Sequence, residues 1–142
     1  MGLFGHYRVF TANKRYGGGA WDWPGDAKLQ ADGSVAARWP ATEERPFDLR
    51  ATYRWAAPNA LDVVTTVQAK TNLANFESFL ASYFAETFTN SLAYVAELPG
   101  KPGVTGFLAA ESSFGMWLAF PRDDAAMAIF HDGRWAIAPS PV

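Results

Sequence analysis

The sequence of 142 residues predicts a mainly β protein, an antiparallel β-sandwich, and three observations support this. Aromatic residues make up 15% of the chain, and aromatic and β-branched side chains suit the half-buried surface of a pleated sheet. Twelve glycines and nine prolines supply the residues that turns need. About eight to ten short strand-like segments recur every ~8–12 residues, a spacing typical of sandwiches and barrels.

The first third of the chain predicts strands separated by glycine- and proline-rich turns. A strand covers residues 6–11, and residues 17–26 form a loop or a short edge strand that ends in a Pro24-Gly25 turn. Asp32-Gly33 predicts a hairpin with a type I′ turn, because this pair tolerates positive φ angles. A strand over residues 35–39 follows and stops at Pro40.

Residues 47–55, FDLRATYRW, predict the clearest strand of the chain. Strict alternation over nine residues places an apolar or small side chain at every second position, which indicates one buried and one exposed face. Residues 61–70 repeat the pattern after a turn at Pro58-Asn59, so the two strands are expected to pair antiparallel.

Residues 75–88 fit a helix by periodicity, but the aromatic load and the surrounding β pattern favour a strand, which is our prediction. The rest of the chain predicts strands joined by turns. The expected strands cover 91–98, 104–110, 115–120, 126–131 and 134–138, with a loop at 99–103, a turn at 121–124 and a second hairpin at Asp132-Gly133.

Composition and charge exclude several classes of function. The length suits one domain over residues 1–142, and the net charge of −2 without a basic run predicts no binding to nucleic acid. No apolar run approaches the ~20 residues of a membrane span, and no signal peptide precedes the first strand, so no membrane association is expected and the compartment stays open. With no cysteine and only two histidines far apart, we expect neither a metal site nor a cofactor.

Residues 14–26, KRYGGGAWDWPGD, combine three glycines with two tryptophans. A phosphate-binding loop would need Gly-Lys-Ser/Thr or G-x-G-x-x-G opening a helix, and neither is present. In an extended segment Trp21 and Trp23 would share one face, where they could stack on a sugar with Asp22 opposite them. Packing of both indoles in or beside the core is the commoner role of tryptophan, and both interpretations remain open.

Ionisable residues on strand-like segments supply the remaining candidates. If the protein is catalytic, the expected base is Glu77 or Glu111, because each lies in an aromatic-rich strand candidate. A carboxylate there is either at a solvated edge or in a pocket that raises its pKa, and both remain open. The expected acid is His6 or His131. The guanidinium groups expected to bind ligand hydroxyls belong to Arg8 and Arg54.

The stretch over residues 61–84 resembles the galactose-mutarotase-like supersandwich proteins. In that family a strand of type L-x-V-x-x-x-V leads to a segment that ends in H-P-Y-F. The residues that carry the resemblance are Leu61, Asp62, Val63, Thr66, Val67, Leu73, Phe76, Glu77, Ala81, Ser82, Tyr83 and Phe84. The resemblance implies an antiparallel sandwich with a concave, sugar-facing sheet, and an epimerisation that uses a histidine acid and a glutamate base.

The sequence departs from this motif at its histidine. When Tyr83-Phe84 is matched to the Tyr-Phe of the family, Ala81 stands in place of the histidine and Ser82 in place of the proline. An alanine cannot transfer a proton, so mutarotase activity is not expected and the protein is more readily a binder than an enzyme. The chain is about half a supersandwich long, which leaves open a fragment or a compact relative that completes its sheet as a homodimer.

Three functions remain open on the sequence. The first is binding of a carbohydrate or similar ring-bearing ligand, with Trp21 and Trp23 as the stacking platform. The second is a lipocalin-like β-barrel holding a small apolar ligand, for which Gly19-Ala20-Trp21 matches the G-x-W element but no helix is expected near the C-terminus. The third is a structural or interaction domain whose exposed aromatic residues form an interface.

Overall fold

The structure is a computed structural model that describes residues 6–12, 14–82, 84, 87–88, 90–114, 117–120 and 123–131. The chain divides into two compact units, Met1–Tyr83 with Ala138–Val142, and Phe84–Ile137. Every strand pairing in the described residues is antiparallel, so the predicted mainly β, antiparallel class is confirmed. The predicted strand at 134–138 and the hairpin at Asp132-Gly133 lie outside the described residues.

The described elements are eleven strands, one short 3₁₀ helix and one α-helix. The strands are β1 (His6–Thr11), β2 (Lys14–Arg15), β3 (Asp26–Leu29), β4 (Val35–Trp39), β5 (Phe47–Ala57), β6 (Ala60–Ala69), β7 (Glu77–Ala81), β8 (Leu92–Val95), β9 (Gly106–Ala109), β10 (Glu111–Phe114) and β11 (Trp117–Ala119). The 3₁₀ helix spans Ala20–Asp22 and the helix α1 spans Asp124–His131.

The first unit contains two antiparallel sheets. One has the strand order β2-β1-β7 and the other the order β3-β4-β5-β6. In the described residues neither sheet closes on itself, since β2, β7, β3 and β6 each pair with one neighbour alone. The sequence counted against a lipocalin-like barrel because no helix was expected near the C-terminus, and the helix α1 removes that objection. The sheets nevertheless have open edges in the described part of the chain, whereas a lipocalin barrel is closed.

The hydrophobic core of this unit lies between β1 and β5. Tyr7 and Val9 of β1 and Phe47, Leu49 and Ala51 of β5 are fully buried or nearly so in one cluster. Alternation in β5 therefore directs its apolar face at β1, as the sequence predicts. The face ends before Trp55, which the same alternation assigns to it but which is 69% exposed.

Aromatic edges hold this core together around Phe47. Its ring makes edge-on contacts with Tyr16, Trp23 and Phe76, with ring centroids 5.2, 5.9 and 5.4 Å apart. Such pairs stabilise a core by roughly 0.5–1.5 kcal/mol each beyond the area they bury. A hydrogen bond of 2.6 Å between the hydroxyls of Tyr7 and Thr65 also joins β1 to β6.

The hairpin predicted at Asp32-Gly33 is present, but its turn is not of type I′. Among the described residues Asn75 alone has a positive φ outside glycine, so Asp32 cannot occupy the first central position of that turn. The Gly33 N–H donates to the Gln30 carbonyl oxygen, and Gly33 has φ 81°. The loop is therefore a type I turn followed by a left-handed glycine. Two hydrogen bonds from Ser34 to the Asp32 carboxylate brace it and lower the pKa of Asp32.

The paired strands predicted at 47–55 and 61–70 are β5 and β6, joined along a register from Phe47↔Ala69 to Ala57↔Ala60. The ambiguous segment 75–88 is a strand over β7, where it pairs with β1, so the strand prediction is confirmed there. β7 is an edge strand of this sheet, with β1 as its one strand partner among the described residues.

The described part of the second unit consists of two β-hairpins and a helix. The strands predicted at 91–98 and 104–110 appear as β8 and β9, which pair from Leu92↔Ala109 to Val95↔Gly106. The intervening loop contains Gly100 and Gly103, both with positive φ. The strand predicted at 115–120 appears as β11, which pairs with β10.

The strand predicted at 126–131 is wrong, because this segment belongs to the helix α1. The Asp123 side chain accepts a hydrogen bond of 2.9 Å from the Ala126 N–H, the geometry of a helix N-cap. The Met127 N–H donates to the Asp123 carbonyl oxygen, which closes the first helical turn. The cap and the following alanines favour a helix more strongly than the short apolar run favours a strand.

Candidate functional site

The glycine-rich segment is neither an extended strand nor a simple loop. Ala20–Asp22 form a 3₁₀ turn, in which the Asp22 N–H donates to the Gly19 carbonyl oxygen and the Trp23 N–H to that of Ala20. The expectation that Trp21 and Trp23 share one face required an extended segment. That conformation is absent, because Ala20–Asp22 form a 3₁₀ turn and Trp23 follows as its C-cap.

Each glycine of the triplet is required for a physical reason of its own. Gly17 has φ 65°, a backbone conformation that other residues rarely adopt. A Cβ at Gly19 would lie 2.1 Å from Cζ3 of Trp21, and one at Gly18 would lie 2.5 Å from Oδ2 of Asp22. The indole of Trp21 and the carboxylate of Asp22 therefore fold back over bare backbone, and any larger residue at these positions would displace them.

Arg15 holds this segment in place through hydrogen bonds to its backbone. Its Nε donates to the Gly17 carbonyl oxygen at 3.1 Å and its Nη2 to that of Gly18 at 3.2 Å. Burial, and secondarily the nearby charge of Arg8, lowers the pKa of Arg15. Arg15 was not among the residues expected at this site. Its position directly before the three glycines is the feature of the sequence that indicates its role.

Trp23 is part of the packing at the rim of the core. Its indole contacts Phe47 in the core, and the guanidinium of Arg45 lies 4.2 Å from its ring centroid. Arg45 is buried and donates from Nη2 to the Pro40 carbonyl oxygen at 2.5 Å. Both ring contacts of Trp23 therefore serve the fold, which leaves Trp21 as the candidate for ligand stacking.

Trp21, Arg8 and Asp22 form the surface that we call the Trp21 site. Trp21 is 46% exposed although its ring rests on Gly19. The guanidinium of Arg8 lies 5.7 Å from the centroid of the Trp21 ring, within the range of a cation–π contact. Asp22 is exposed beside them on the same 3₁₀ turn. An aromatic surface, a hydrogen-bond donor and an acceptor thus lie together at the protein surface.

The strand register places two further candidates near this site. His6↔Ala81, Arg8↔Phe79 and Phe10↔Glu77 are opposite pairs of β1 and β7, so His6, Arg8 and Glu77 occupy one face of the sheet. This face is the one turned away from Tyr7 and Val9 of the core. The position of Ala81, where the resembling family has histidine, is thus directly opposite His6.

The backbone positions of His6 and Glu77 are nevertheless well separated along the sheet. Glu77 lies opposite Phe10, four residues from His6, and at ~3.4 Å per residue this separates the two positions by about 14 Å. The register therefore brings these two candidates to one face, but not to neighbouring positions.

The other candidates lie elsewhere. Glu111 in β10 and His131 at the end of α1 both belong to the second unit. Arg54 lies on the four-stranded sheet, where its Nη2 is 3.0 Å from Oδ2 of Asp62 across the β5–β6 pair. It lines a shallow depression of about 420 Å³ together with Asp32, Ser34, Thr52, Asp62, Val63 and Val64. Arg54 is therefore not part of the Trp21 site.

The described residues contain no group of three metal-ligating side chains. Across the same part of the chain, no helix has the length and apolar character needed to cross a bilayer.

Comparison with known proteins gave no match to a family model, to a curated protein or to a solved structure.

Proposed function

We propose that this protein binds a carbohydrate, or a similar ring-bearing ligand, at the Trp21 site and does not act as a mutarotase. The observation that carries the proposal is the partly exposed indole of Trp21. It packs against the backbone of Gly19, and the Arg8 guanidinium lies 5.7 Å from its ring centroid. Indole surfaces stack on the apolar faces of sugar rings, while charged side chains bind the hydroxyls.

The rigidity of the site supports this proposal. Arg15 ties down the carbonyl groups of Gly17 and Gly18, and the 3₁₀ turn sets the direction of the Trp21 side chain. A side chain that is already ordered loses little conformational entropy when a ligand binds. An exposed indole held in this way is better suited to binding than one on a mobile loop.

The absence of mutarotase activity is proposed on two grounds. Ala81 stands where the family motif has its histidine. The positions of His6 and Glu77 are about 14 Å apart along the sheet, so the register does not place them side by side as a substitute pair.

Titration of the protein with oligosaccharides tests the proposal. Neutral and uronic-acid oligosaccharides should be titrated by tryptophan fluorescence, with calorimetry as a second readout that does not depend on Trp21. We expect saturable binding by the wild type and an affinity at least tenfold lower in Trp21→Ala, because the variant loses the stacking surface.

Trp55→Ala is the matched control, since Trp55 is exposed but lies on β5, outside the Trp21 site. It should bind like the wild type. If no sugar binds the wild type, or if Trp21→Ala and Trp55→Ala bind equally well, the proposal is wrong. A folded Trp21→Ala, checked by circular dichroism, separates loss of binding from loss of structure.

A further inference from the structure

The strand β6 is a long edge strand. It runs for ten residues and pairs with β5 on one side, and the described part of the chain places no strand on its other side. None of the described hydrogen bonds uses that outer edge of Ala60–Ala69. An unpaired row of backbone N–H and carbonyl groups is a template for another strand.

The sequence of β6 does not protect this edge. Proteins commonly block an exposed edge with proline, a central lysine or a bulge. Residues 63–67, VVTTV, contain none of the blocking residues and have high β propensity. Val64, at the outward-facing centre of the strand, is 62% exposed. The edge is thus suited to pairing with another strand.

We propose that two copies of this protein associate through β6, which pairs antiparallel with β6 of the second copy about a twofold axis at Thr66. This register joins the two four-stranded sheets into one sheet of eight strands. It places Thr66 opposite Thr66 of the partner, Val64 opposite Gln68, and Asp62 opposite Lys70. The last of these pairs selects the register.

Charge complementarity is the argument for a second copy as the occupant. On the outer face of β5 and β6, Arg54 pairs with Asp62 at 3.0 Å, and Lys70 pairs with Asp48 at 2.7 Å. In the proposed register Asp62 lies opposite Lys70 of the partner. Four side chains of alternating charge then cross each end of the junction, Arg54 and Asp62 from one copy and Lys70 and Asp48 of the partner subunit from the other. Other registers leave Asp62 and Lys70 without this opposite charge, and opposite charges directly across a strand pair stabilise it.

Engineered cysteines test the register directly, since the chain has no cysteine of its own. Directly opposite residues in an antiparallel pair have Cα atoms about 4.5–5.5 Å apart, within reach of a disulfide. We expect Thr66→Cys to form a covalent dimer under mild oxidation. Val64→Cys alone should not do so, because the two copies of residue 64 would be four positions and about 14 Å apart. A mixture of Val64→Cys and Gln68→Cys should form the mixed dimer.

Sedimentation of the unmodified protein gives an independent readout. An edge-to-edge junction is small, so we expect a dimer that forms reversibly as the protein concentration rises. Thr66→Glu places two like charges opposite each other on the axis and should keep the protein monomeric. Its fold should be unchanged, because Thr66 is exposed and lies opposite Arg50 of β5, whose charge complements a glutamate. The control Leu29→Glu, on the exposed edge strand β3, should dimerise like the wild type.

A protein that stays monomeric up to about millimolar concentration, well above the range of a specific junction, overturns the proposal. Crosslinking of Val64→Cys alone as readily as Thr66→Cys also overturns it, since the register would then be different. These outcomes do not bear on sugar binding, because the Trp21 site lies on β1 and the 3₁₀ turn rather than on β6.

Discussion

Asp48 occupies a position of β5 that alternation assigns to solvent, yet its side chain is only 6% exposed. Its Oδ2 lies 2.7 Å from Nζ of Lys70, and its Oδ1 accepts a hydrogen bond of 2.9 Å from the Ala41 N–H and lies 3.6 Å from Nη2 of Arg38. The hydrogen bond from Lys70, and then that from Ala41, lowers the pKa of Asp48 to about 2. Alternation correctly placed Asp48 on the face of β5 that is turned away from the core. It could not show that the side chain is covered there by partners from other strands and loops.

Asp48 should make the stability of the protein depend on acid pH. Because its pKa in the folded state is about 2 and that of an unfolded aspartate is about 3.9, the contribution of Asp48 is complete above pH ~4 and is lost as the pH falls to about 2. Urea unfolding midpoints measured between pH 2 and 7 should show this loss in the wild type. Asp48→Asn should be less stable at pH 7 and should show a flatter profile below pH ~4.

Asp26→Asn is the control for this experiment. Asp26 is an exposed aspartate on β3, opposite Arg38 in the sheet. Its replacement should leave the acid profile close to that of the wild type. If Asp48→Asn and the wild type lose stability in parallel below pH 4, the assigned role of Asp48 is wrong.

Residues 124–131 show how an element is decided by its capping residue. The sequence DAAMAIFH contains too few polar positions to separate a helical period from a buried strand, and its part from 126 to 131 is predicted as a strand. Asp123 decides the outcome, because its carboxylate accepts the Ala126 N–H and thereby satisfies one of the free donors of the first turn. The longer strand β5 needed no such signal, since nine alternating residues exclude a helix on their own.

The cap can be tested at the level of the helix. Asp123→Ala should destabilise α1 by about 1 kcal/mol, because the first turn loses its side-chain acceptor. Asp123→Ser should retain most of the stability, since a serine oxygen accepts the same hydrogen bond. Hydrogen exchange of the amides in Asp124–His131, followed by mass spectrometry, measures the difference. Equal protection in the two variants would exclude the cap as the cause of the helix.

The whole molecule consists of two compact units that differ in how their strands are supported. In the first unit, β1 and β5 bury Tyr7, Val9, Phe47 and Leu49 against each other. In the second, β8 and β9 are a two-stranded sheet on which Tyr94 and Phe107 remain exposed as a cross-strand pair with centroids 5.3 Å apart. Two-stranded sheets are marginal without further packing. The sequence predicts a single domain over residues 1–142, and this stays a prediction, since compact units can belong to one domain.

Native-state hydrogen exchange should reveal this difference in support. The amides of β5, a central strand over the core, should exchange most slowly, and those of β8 and β9 should exchange faster. Phe47→Ala should destabilise the first unit by about 3–5 kcal/mol, because it removes a fully buried ring at the centre of the aromatic contacts. Uniform exchange across both units would contradict this expected difference in protection.

The sequence by itself determined the β class, most strand positions and the pairing of β5 with β6, because period-two alternation and turn residues act over short distances. It also listed the residues of the Trp21 site without showing which belong together. Tertiary structure decided that Trp23 packs on Arg45 and Phe47 and that Trp21 lies beside Arg8. It also placed His6 and Glu77 on one face of a sheet, four positions apart. These outcomes depend on contacts between residues far apart in the chain, and local pattern carries no information about which distant surfaces will meet.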